Sequence, residues 1–186
     1  MPFLSEAEQR LFLELARQAL TQAVAGQKRT LSVPEESIFS EKRGVFVTLH
    51  VGGRLRGCIG VVEAYEPLRE AIARCAASAA LHDPRFSPVR PDELPGLQIE
   101  ISLLSPPAPI RPEEIKIDMH GLLISNGKHR GLLLPQVATE HKFGREQFLE
   151  ETCEKAGLPR NAWQQPDTEI LAFTCEVFSE ANQDRR

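Results

Sequence analysis

The six residues Leu55–Gly60, which read Leu-Arg-Gly-Cys-Ile-Gly, bring a thiol, a guanidinium and two glycines together. Alternate residues of a β-strand share one face, so Arg56 and Cys58 are neighbours if this stretch is extended. A nearby positive charge favours the thiolate, which is the nucleophilic form of cysteine. The stretch therefore predicts a reactive thiol at Cys58, with Arg56 as the group that activates it and binds an anion.

The same residues also have a purely structural interpretation. Most free cysteines behave as small buried hydrophobic residues, and Cys58 could be one of them. Glycine inside a strand marks a bulge or a close approach of ligand or backbone, so Gly57 and Gly60 are either binding positions or packing positions. Both interpretations remain open on the residues of this stretch alone.

A β-hairpin must present the thiol, and its register decides which residues surround it. The segment Val45–Val51 alternates between apolar and other residues and is joined to the stretch by Gly52-Gly53-Arg54. A two-residue loop would place the arginines on the apolar face. We therefore expect a three-residue loop that pairs Val51 with Leu55.

This register fixes the expected neighbours of the thiol. It sets Thr48 opposite Cys58 and His50 opposite Arg56, all on one face of the hairpin. His50 is then diagonal to the thiol and is a candidate base. Thr48 becomes a candidate substrate-binding residue.

A second contributor to the site is the segment that follows the next predicted helix. Asp83-Pro84 ends that helix, because the residue before a proline is excluded from the helical region. A loop so strongly specified is suited to carry function, and we expect Asp83 and Arg85 to line the rim of the site. The alternative is a helix end that carries only a local Asp–Arg pair.

The composition excludes several classes of protein. With 186 residues, a net charge of −4 and no long basic cluster, the chain does not suit nucleic acid as its main partner. No apolar run approaches the roughly 20 residues of a membrane span, and no secretory signal is visible, so we expect a cytoplasmic protein.

The four cysteines are widely spaced, which predicts free thiols and no metal site: Cys58, Cys75, Cys153 and Cys175. No nucleotide or cofactor motif is present, and we expect no cofactor.

The periodicity of the remaining chain predicts three long helices and six strands. The helices run from Ser5 to about Gly26, from Glu66 into Leu81, and from Arg145 to Ala156. Ser5 and Glu8 predict a capping box for the first helix, and Pro67 is expected at the first position of the second. Besides the hairpin, strands are expected at 97–103, 121–125, 131–134 and 169–178, and residues 28–41 are expected to form a loop. The strands at 121–125 and 131–134 are expected to form a second hairpin, and the two partly apolar faces of the last strand predict that it lies inside the main sheet. Within the strand at 97–103, Glu100 falls on the polar face, where it is either a solvated charge or lines a groove. Ser105–Pro109 is a stiff connector and the candidate boundary between two lobes.

Taken together, these residues resemble the AMMECR domain family, over nearly the whole chain. The matching segments are Gly-Val-Phe-Val-Thr-Leu-His at 44–50, Leu-Arg-Gly-Cys-Ile-Gly at 55–60, Asp-Pro-Arg-Phe at 83–86, Glu-Leu-Pro at 93–95, Leu-Ser-Pro-Pro at 104–107, Gly-Leu-Leu-Leu-Pro-Gln-Val-Ala at 131–138, Thr-Cys-Glu-Lys-Ala-Gly-Leu-Pro at 152–159, and Trp163. The chain has His-Lys-Phe-Gly at 141–144 where the family often has a tryptophan-containing stretch, which argues against an aromatic stacking role there.

The resemblance implies a two-lobed α+β domain, in which a mixed or antiparallel sheet packs against helices. The larger lobe would contain about 1–108 and 166–186, and the smaller about 109–165. The resemblance also implies a prokaryotic intracellular protein linked to a Memo-like, dioxygenase-related protein and to a radical-SAM protein. The family has no settled activity, so no catalytic residue is carried over, but its signature falls on Leu55–Gly60.

The leading hypothesis is a cleft centred on a thiol, which binds or modifies a small anionic or electrophilic metabolite. Cys58 would be the nucleophile or covalent carrier, and His50 its base. Arg56 would bind the anion, while Thr48, Gly57, Gly60, Asp83 and Arg85 would complete the binding site. The rival hypothesis is a non-enzymatic interaction or regulatory module that uses the same glycine-rich face for docking, so whether the protein is an enzyme stays open.

Overall fold

The structure, a computed structural model, describes residues 4–28, 37–62 and 65–180. It confirms an α+β fold in which helices pack on an antiparallel sheet. Most of the predicted loop at 28–41 and the tail at 181–186 lie outside the described residues. The helices are α1 (Glu6–Val24), α2 (Ser37–Ser40), α3 (Leu68–Leu81), α4 (Pro135–Glu140) and α5 (Arg145–Lys155). The strands are β1 (Val45–Val51), β2 (Arg54–Val61), β3 (Leu97–Leu104), β4 (Ala108–Pro109), β5 (His120–Asn126), β6 (His129–Leu133) and β7 (Glu169–Ser179).

The chain divides into two units, each with its own hydrophobic core. The first unit comprises the described residues within Met1–Leu104 and Glu176–Arg186, and the second comprises Ser105–Cys175. Strand β7 contributes residues to both, and it has a strand partner on each side, as its two partly apolar faces predicted.

In the first unit, α1 and α3 cover one face of the sheet β2-β1-β3. The alternation predicted for β1 and β3 is confirmed, because every second residue of these strands lies in the core against the helices. The capping box predicted for α1 is also present: the Ser5 side chain accepts a hydrogen bond from the Glu8 backbone N–H. Pro67 is the N-cap of α3 rather than its first helical residue.

The hairpin β1–β2 departs from the predicted register. Gly52 and Gly53 form a two-residue turn in which both φ angles are positive, at 55° and 75°, and Val51 pairs with Arg54. The three-residue loop was therefore wrong. The register is restored one step later by a bulge, since His50 pairs with Leu55 and Leu49 with Gly57, which leaves Arg56 as the extra residue of β2.

The bulge has two consequences for the predicted neighbours of the thiol. The pairing of Thr48 with Cys58 is confirmed, because it lies beyond the bulge. The pairing of His50 with Arg56 was wrong, and Leu55 faces the same side as His50 instead of the core. This explains why Leu55 is 42% exposed although it is a large apolar residue.

The second unit contains β4, β5, β6, α4 and α5, together with the first part of β7. The predicted hairpin β5–β6 is confirmed, with Asn126 paired to His129 across a turn that contains Gly127 at φ 59°. Helix α5 also has the predicted extent, and Gly157 follows it at φ 73°. Three short elements were not predicted: α4, the strand β4 within the expected connector, which pairs with β7, and, in the first unit, α2, which lies in the stretch 28–41 expected to be a loop.

Candidate functional site

One face of the sheet in the first unit carries the predicted thiol, and we name it the thiol face. It is the face opposite to the one that α1 and α3 cover. Its residues form three rows that cross β2, β1 and β3 in that order: Leu55, His50 and Gln98; Cys58, Thr48 and Glu100; Gly60, Phe46 and Ser102.

Access to the thiol face decreases along the strands, away from the hairpin turn. Leu55 and Gln98 are exposed, the middle row is half-buried, and Ser102 is 6% exposed. Cys58 is therefore partly accessible, whereas Cys75 and Cys153 are 0% exposed. The interpretation of Cys58 as a buried hydrophobic residue does not fit this position.

The Cys58 sulfur accepts a hydrogen bond from the Thr48 hydroxyl, with 3.2 Å between Oγ1 and Sγ. Thr48 is held in the centre of the sheet, because β1 pairs with strands on both sides. Thr48 therefore holds the Cys58 sulfur from a fixed position on the thiol face.

The backbone of Cys58 is bound by the segment that follows α3. Asp83 accepts a hydrogen bond from the Cys58 N–H at 2.8 Å, and the Arg85 guanidinium donates to the Cys58 carbonyl at 3.3 Å. Strand β2 is at the end of the sheet order and has β1 as its strand neighbour. Asp83 and Arg85 therefore bond backbone groups of Cys58 at the outer edge of β2, where a further strand would otherwise pair. The local Asp–Arg pair offered as the alternative therefore forms, and it also contacts the backbone of Cys58. Whether the two residues line a functional site stays a prediction.

Asp83 and Arg85 form a tight ion pair on this edge. The guanidinium donates to Asp83 from Nε at 3.0 Å and from Nη2 at 2.7 Å. The Asp83 side chain is 2% exposed and that of Arg85 is 54% exposed. The pKa of Arg85 is raised, mainly by its hydrogen bonds to Asp83 and to a smaller extent by the Cys58 side chain. Arg85 is thus the cation that interacts with the thiol residue.

The pKa of Asp83 is held well below its usual range, mainly by the hydrogen bonds from Arg85, with the Cys58 N–H adding to the effect. A carboxyl group whose pKa is lower in the folded than in the unfolded protein stabilises the folded state. This contribution is full above the unfolded pKa of about 3.9 and is lost progressively as the pH falls below that value. We expect the difference in unfolding free energy between the wild type and Asp83→Asn to be constant from about pH 7 to 5 and to shrink below about pH 4. Urea unfolding at each pH measures it, and a difference that grows on acidification would contradict this assignment.

The structure gives Arg56 partners other than the thiol. Its Nε donates to Glu93 Oε1 at 2.8 Å, and its other nitrogens donate to Glu93 and to the carbonyls of Ser87 and Pro88. The side chain is 15% exposed, and its charge is matched by the carboxylate. Arg56 therefore links the bulged strand to the segment after α3. Its guanidinium is occupied by these protein contacts.

The two glycines of the stretch are packing positions. A Cβ on Gly57 would lie 2.2 Å from the Ala79 carbonyl oxygen, so the absence of a side chain lets the α3 backbone rest on β2. A Cβ on Gly60 would lie 2.2 Å from the Phe46 ring, which leans over this glycine on the thiol face. The ring forms an apolar wall beside the row that contains Cys58.

The comparisons with known proteins support the sequence interpretation. A family model described as AMMECR1 matches residues 13–178. The chain belongs to the AMMECR1 family. A protein of Methanothermobacter thermautotrophicus is 43% identical, and the match covers 95% of this chain and 96% of that protein. A protein of Thermococcus kodakarensis is 45% identical, over 90% of this chain and 88% of that protein. The crystal structure of an uncharacterized protein from Pyrococcus horikoshii has a TM-score of 0.83 and 38% identity, over 95% of this chain and 93% of that chain.

Two residues of this AMMECR1-family site were not identified from the sequence. Glu100 was left between a solvated charge and a groove residue, because alternation gives the face of a residue but not what lies beside it. The strand pairing supplies that information, since Thr48 separates Glu100 from Cys58. Glu93 was missed because nothing in its spacing links it to Arg56.

His50 lies on the thiol face as predicted, one row from the thiol. Among the described residues it has no hydrogen bond to Cys58, so its role as a base requires a substrate or a water molecule between the two side chains. Within the described ranges, no group of three or more His, Cys, Asp or Glu side chains could hold a metal ion. The helices in the same ranges are too short or too polar to cross a membrane.

Proposed function

We propose that this AMMECR1-family protein binds a small electrophilic metabolite through covalent attachment to Cys58. One combination of contacts supports this function. The Cys58 sulfur is partly accessible and accepts a hydrogen bond from the Thr48 hydroxyl, and the Arg85 guanidinium donates to the Cys58 carbonyl. His50 would accept the thiol proton through a bridging molecule. Thr48 and Arg85 would stabilise the thiolate, and Asp83 would hold Arg85 in place.

An electrophile fits this surface better than an anion. Arg56 is bound to Glu93, and the charge of Arg85 is balanced by Asp83, so neither guanidinium offers an unmatched positive charge. Recognition of a free anion requires such a charge or a set of unpaired donors. A thiolate requires only a reactive carbon within reach.

The test uses acrylamide, a small neutral electrophile, as the probe. The Cys58 thiolate adds to the terminal carbon of the double bond, a C–S bond forms, and the neighbouring carbon takes up a proton, so nothing leaves. We expect one adduct on the native protein, located at Cys58 by peptide mass spectrometry and lost in Cys58→Ser. Cys175→Ser is the matched control, because Cys175 is partly exposed like Cys58. This variant should retain the adduct, since the adduct is expected at Cys58.

The roles of the two arginines can be separated with the same probe. We expect Arg85→Gln to slow adduct formation at Cys58 by about tenfold at neutral pH, because the thiolate loses a nearby positive charge and gains an unbalanced Asp83 carboxylate. Arg56→Gln should lower the stability of the fold but leave the rate for the native protein unchanged. The reverse pattern would restore Arg56 as the activating group and contradict our assignment.

The cellular setting is also part of the proposal. A protein that carries a metabolite on a thiol needs partners that supply or remove it, and the family resemblance suggests a Memo-like protein and a radical-SAM protein for these steps. Co-purification of either with the wild type but not with Cys58→Ser would support this link. Equal recovery with both would favour the alternative of a docking module, for which the exposed Leu55 on the thiol face is the supporting feature.

A further inference from the structure

The charges on and around the thiol face do not cancel. Asp83 pairs with Arg85, and Arg56 pairs with Glu93. Glu100 is different, since its half-buried side chain makes no hydrogen bond or ion pair with any other described residue. A carboxylate that makes no hydrogen bond or ion pair within the protein is available to pair with the cation of a ligand.

The position of Glu100 relates it directly to the thiol. Both side chains belong to the same row and point to the same side of the sheet, with Thr48 between them. Neighbouring strands are about 4.8 Å apart, so the backbones of Cys58 and Glu100 are separated by about 10 Å. One small molecule can therefore contact the sulfur at one end and the carboxylate at the other.

The rows on either side of Cys58, Thr48 and Glu100 favour such a ligand. On one side, Phe46 leans over Gly60 and presents an apolar wall along the middle row. On the other side, His50 and Gln98 provide polar groups next to Glu100. This arrangement leaves a strip with a nucleophile at one end and an unpaired negative charge at the other.

We propose that the thiol face selects electrophiles that carry a basic nitrogen, with the ammonium or amidinium group held by Glu100. This inference rests on the proposed function, because it assigns a substrate class to the same thiol. It replaces the expectation of an anionic metabolite with that of a cationic one. Glu100 is a binding residue in this proposal and takes no part in forming the bond to sulfur.

The test compares two reagents that differ in charge and share one reaction. They are 2-aminoethyl methanethiosulfonate, which is cationic, and 2-sulfonatoethyl methanethiosulfonate, which is anionic. In both cases the Cys58 thiolate attacks the sulfenyl sulfur, a disulfide forms, and methanesulfinate leaves with the electron pair of the broken S–S bond. The rate at Cys58 is measured for each reagent by peptide mass spectrometry, and the ratio of the two rates cancels the intrinsic reactivity of the thiol.

We expect the cationic-to-anionic rate ratio of the wild type to fall about fourfold in Glu100→Gln, since removal of one charge at about 10 Å changes each rate by about twofold in opposite directions. Glu14→Gln is the matched control, because Glu14 is an exposed carboxylate of α1, on the opposite side of the sheet. It should leave the ratio within about a factor of 1.5, because a charge so distant is screened by salt.

The outcomes separate this inference from the function on which it rests. Labelling of Cys58 by both reagents with the same ratio in wild type and Glu100→Gln would overturn the cation site and leave the thiol proposal intact. An equal fall of the ratio in Glu14→Gln would also overturn it, because the effect would then follow from net charge alone. Failure of both reagents to label Cys58 in the native protein would overturn the proposed function itself.

Discussion

Asp83→Ala is expected to destabilise the protein by about 3 kcal/mol, which is about 9 °C in Tm for a chain of this size. The Asp83 carboxylate is 2% exposed and accepts hydrogen bonds from the Cys58 N–H and from both the backbone and the guanidinium of Arg85. Alanine removes all of these and leaves the Cys58 N–H without a partner at the edge of β2. Arg85 is 54% exposed and regains water, which keeps the loss at the lower end of the range for a broken buried pair.

The matched control is Asp92→Ala. Asp92 also pairs with an arginine two residues away, at 2.9 Å from Arg90, but the side chains are 68% and 70% exposed. Exposed pairs of this kind contribute little to stability, so the unfolding midpoint in urea should hardly move. Equal losses for the two variants would show that the Asp83 pair is an ordinary surface ion pair rather than the closure of the β2 edge.

Gly57→Ala is the second substitution with a large expected effect, about 3 kcal/mol. The new Cβ would lie 2.2 Å from the Ala79 oxygen and 3.1 Å from the Ala79 carbonyl carbon. Both atoms belong to the backbone of α3, so no side chain can rotate away and the whole helix must shift from the sheet. Overpacking of a core by one methyl group costs about 1–3 kcal/mol, and a rigid backbone places this site at the upper limit.

Gly96→Ala is the control for the change of residue type. Nothing lies within 4 Å of a Cβ at Gly96, and its φ is not in the left-handed region. Alanine restricts the unfolded chain equally at both positions, so Gly96→Ala should be neutral or stabilise by about 0.5 kcal/mol. Thermal unfolding of both variants decides the matter, and a Gly57→Ala protein as stable as the Gly96→Ala protein would contradict the close contact of α3 with β2.

The helices and strands were largely predictable from local signals. The capping box at Ser5 and Glu8 and the alternation of β1 and β3 depend on residues close together in the chain, and each gave the correct element. Helix α4 was missed because Pro135–Glu140 is too short for its periodicity to stand out.

The register of the hairpin shows where local reasoning fails. The burial pattern correctly required that the apolar residues of β1 and β2 share a face, but two backbone solutions satisfy that requirement. A three-residue loop does so at the turn, and the protein instead uses a tight turn at Gly52-Gly53 and a bulge at Arg56. Periodicity cannot distinguish them, because both restore the same alternation beyond the bulge.

The site was predictable in its centre and not in its partners. Cys58 and Thr48 were placed correctly because they are paired by the strand ladder. Arg56 was expected beside the thiol, and its contact with Glu93 was not foreseen; Arg85 was expected at the rim or paired with Asp83, and its contact with the Cys58 carbonyl was not foreseen. The partner of Arg56 is Glu93, 37 residues away, and the cation near Cys58 is Arg85, 27 residues away. Such pairings depend on how α3 and the segment after it pack on β2, which spacing alone does not encode.

The most direct test of the account is the rate of iodoacetamide labelling at each of the four cysteines in the native protein at neutral pH. We expect Cys58 to react at least as fast as cysteine in an unfolded peptide, because it is partly accessible and because, in the proposed function, Thr48 and Arg85 stabilise its thiolate. Cys75, whose pKa burial raises to about 11, should react only after denaturation. Labelling of Cys58 that also waits for denaturation would contradict the account and make the whole stretch from Leu55 to Gly60 a structural element.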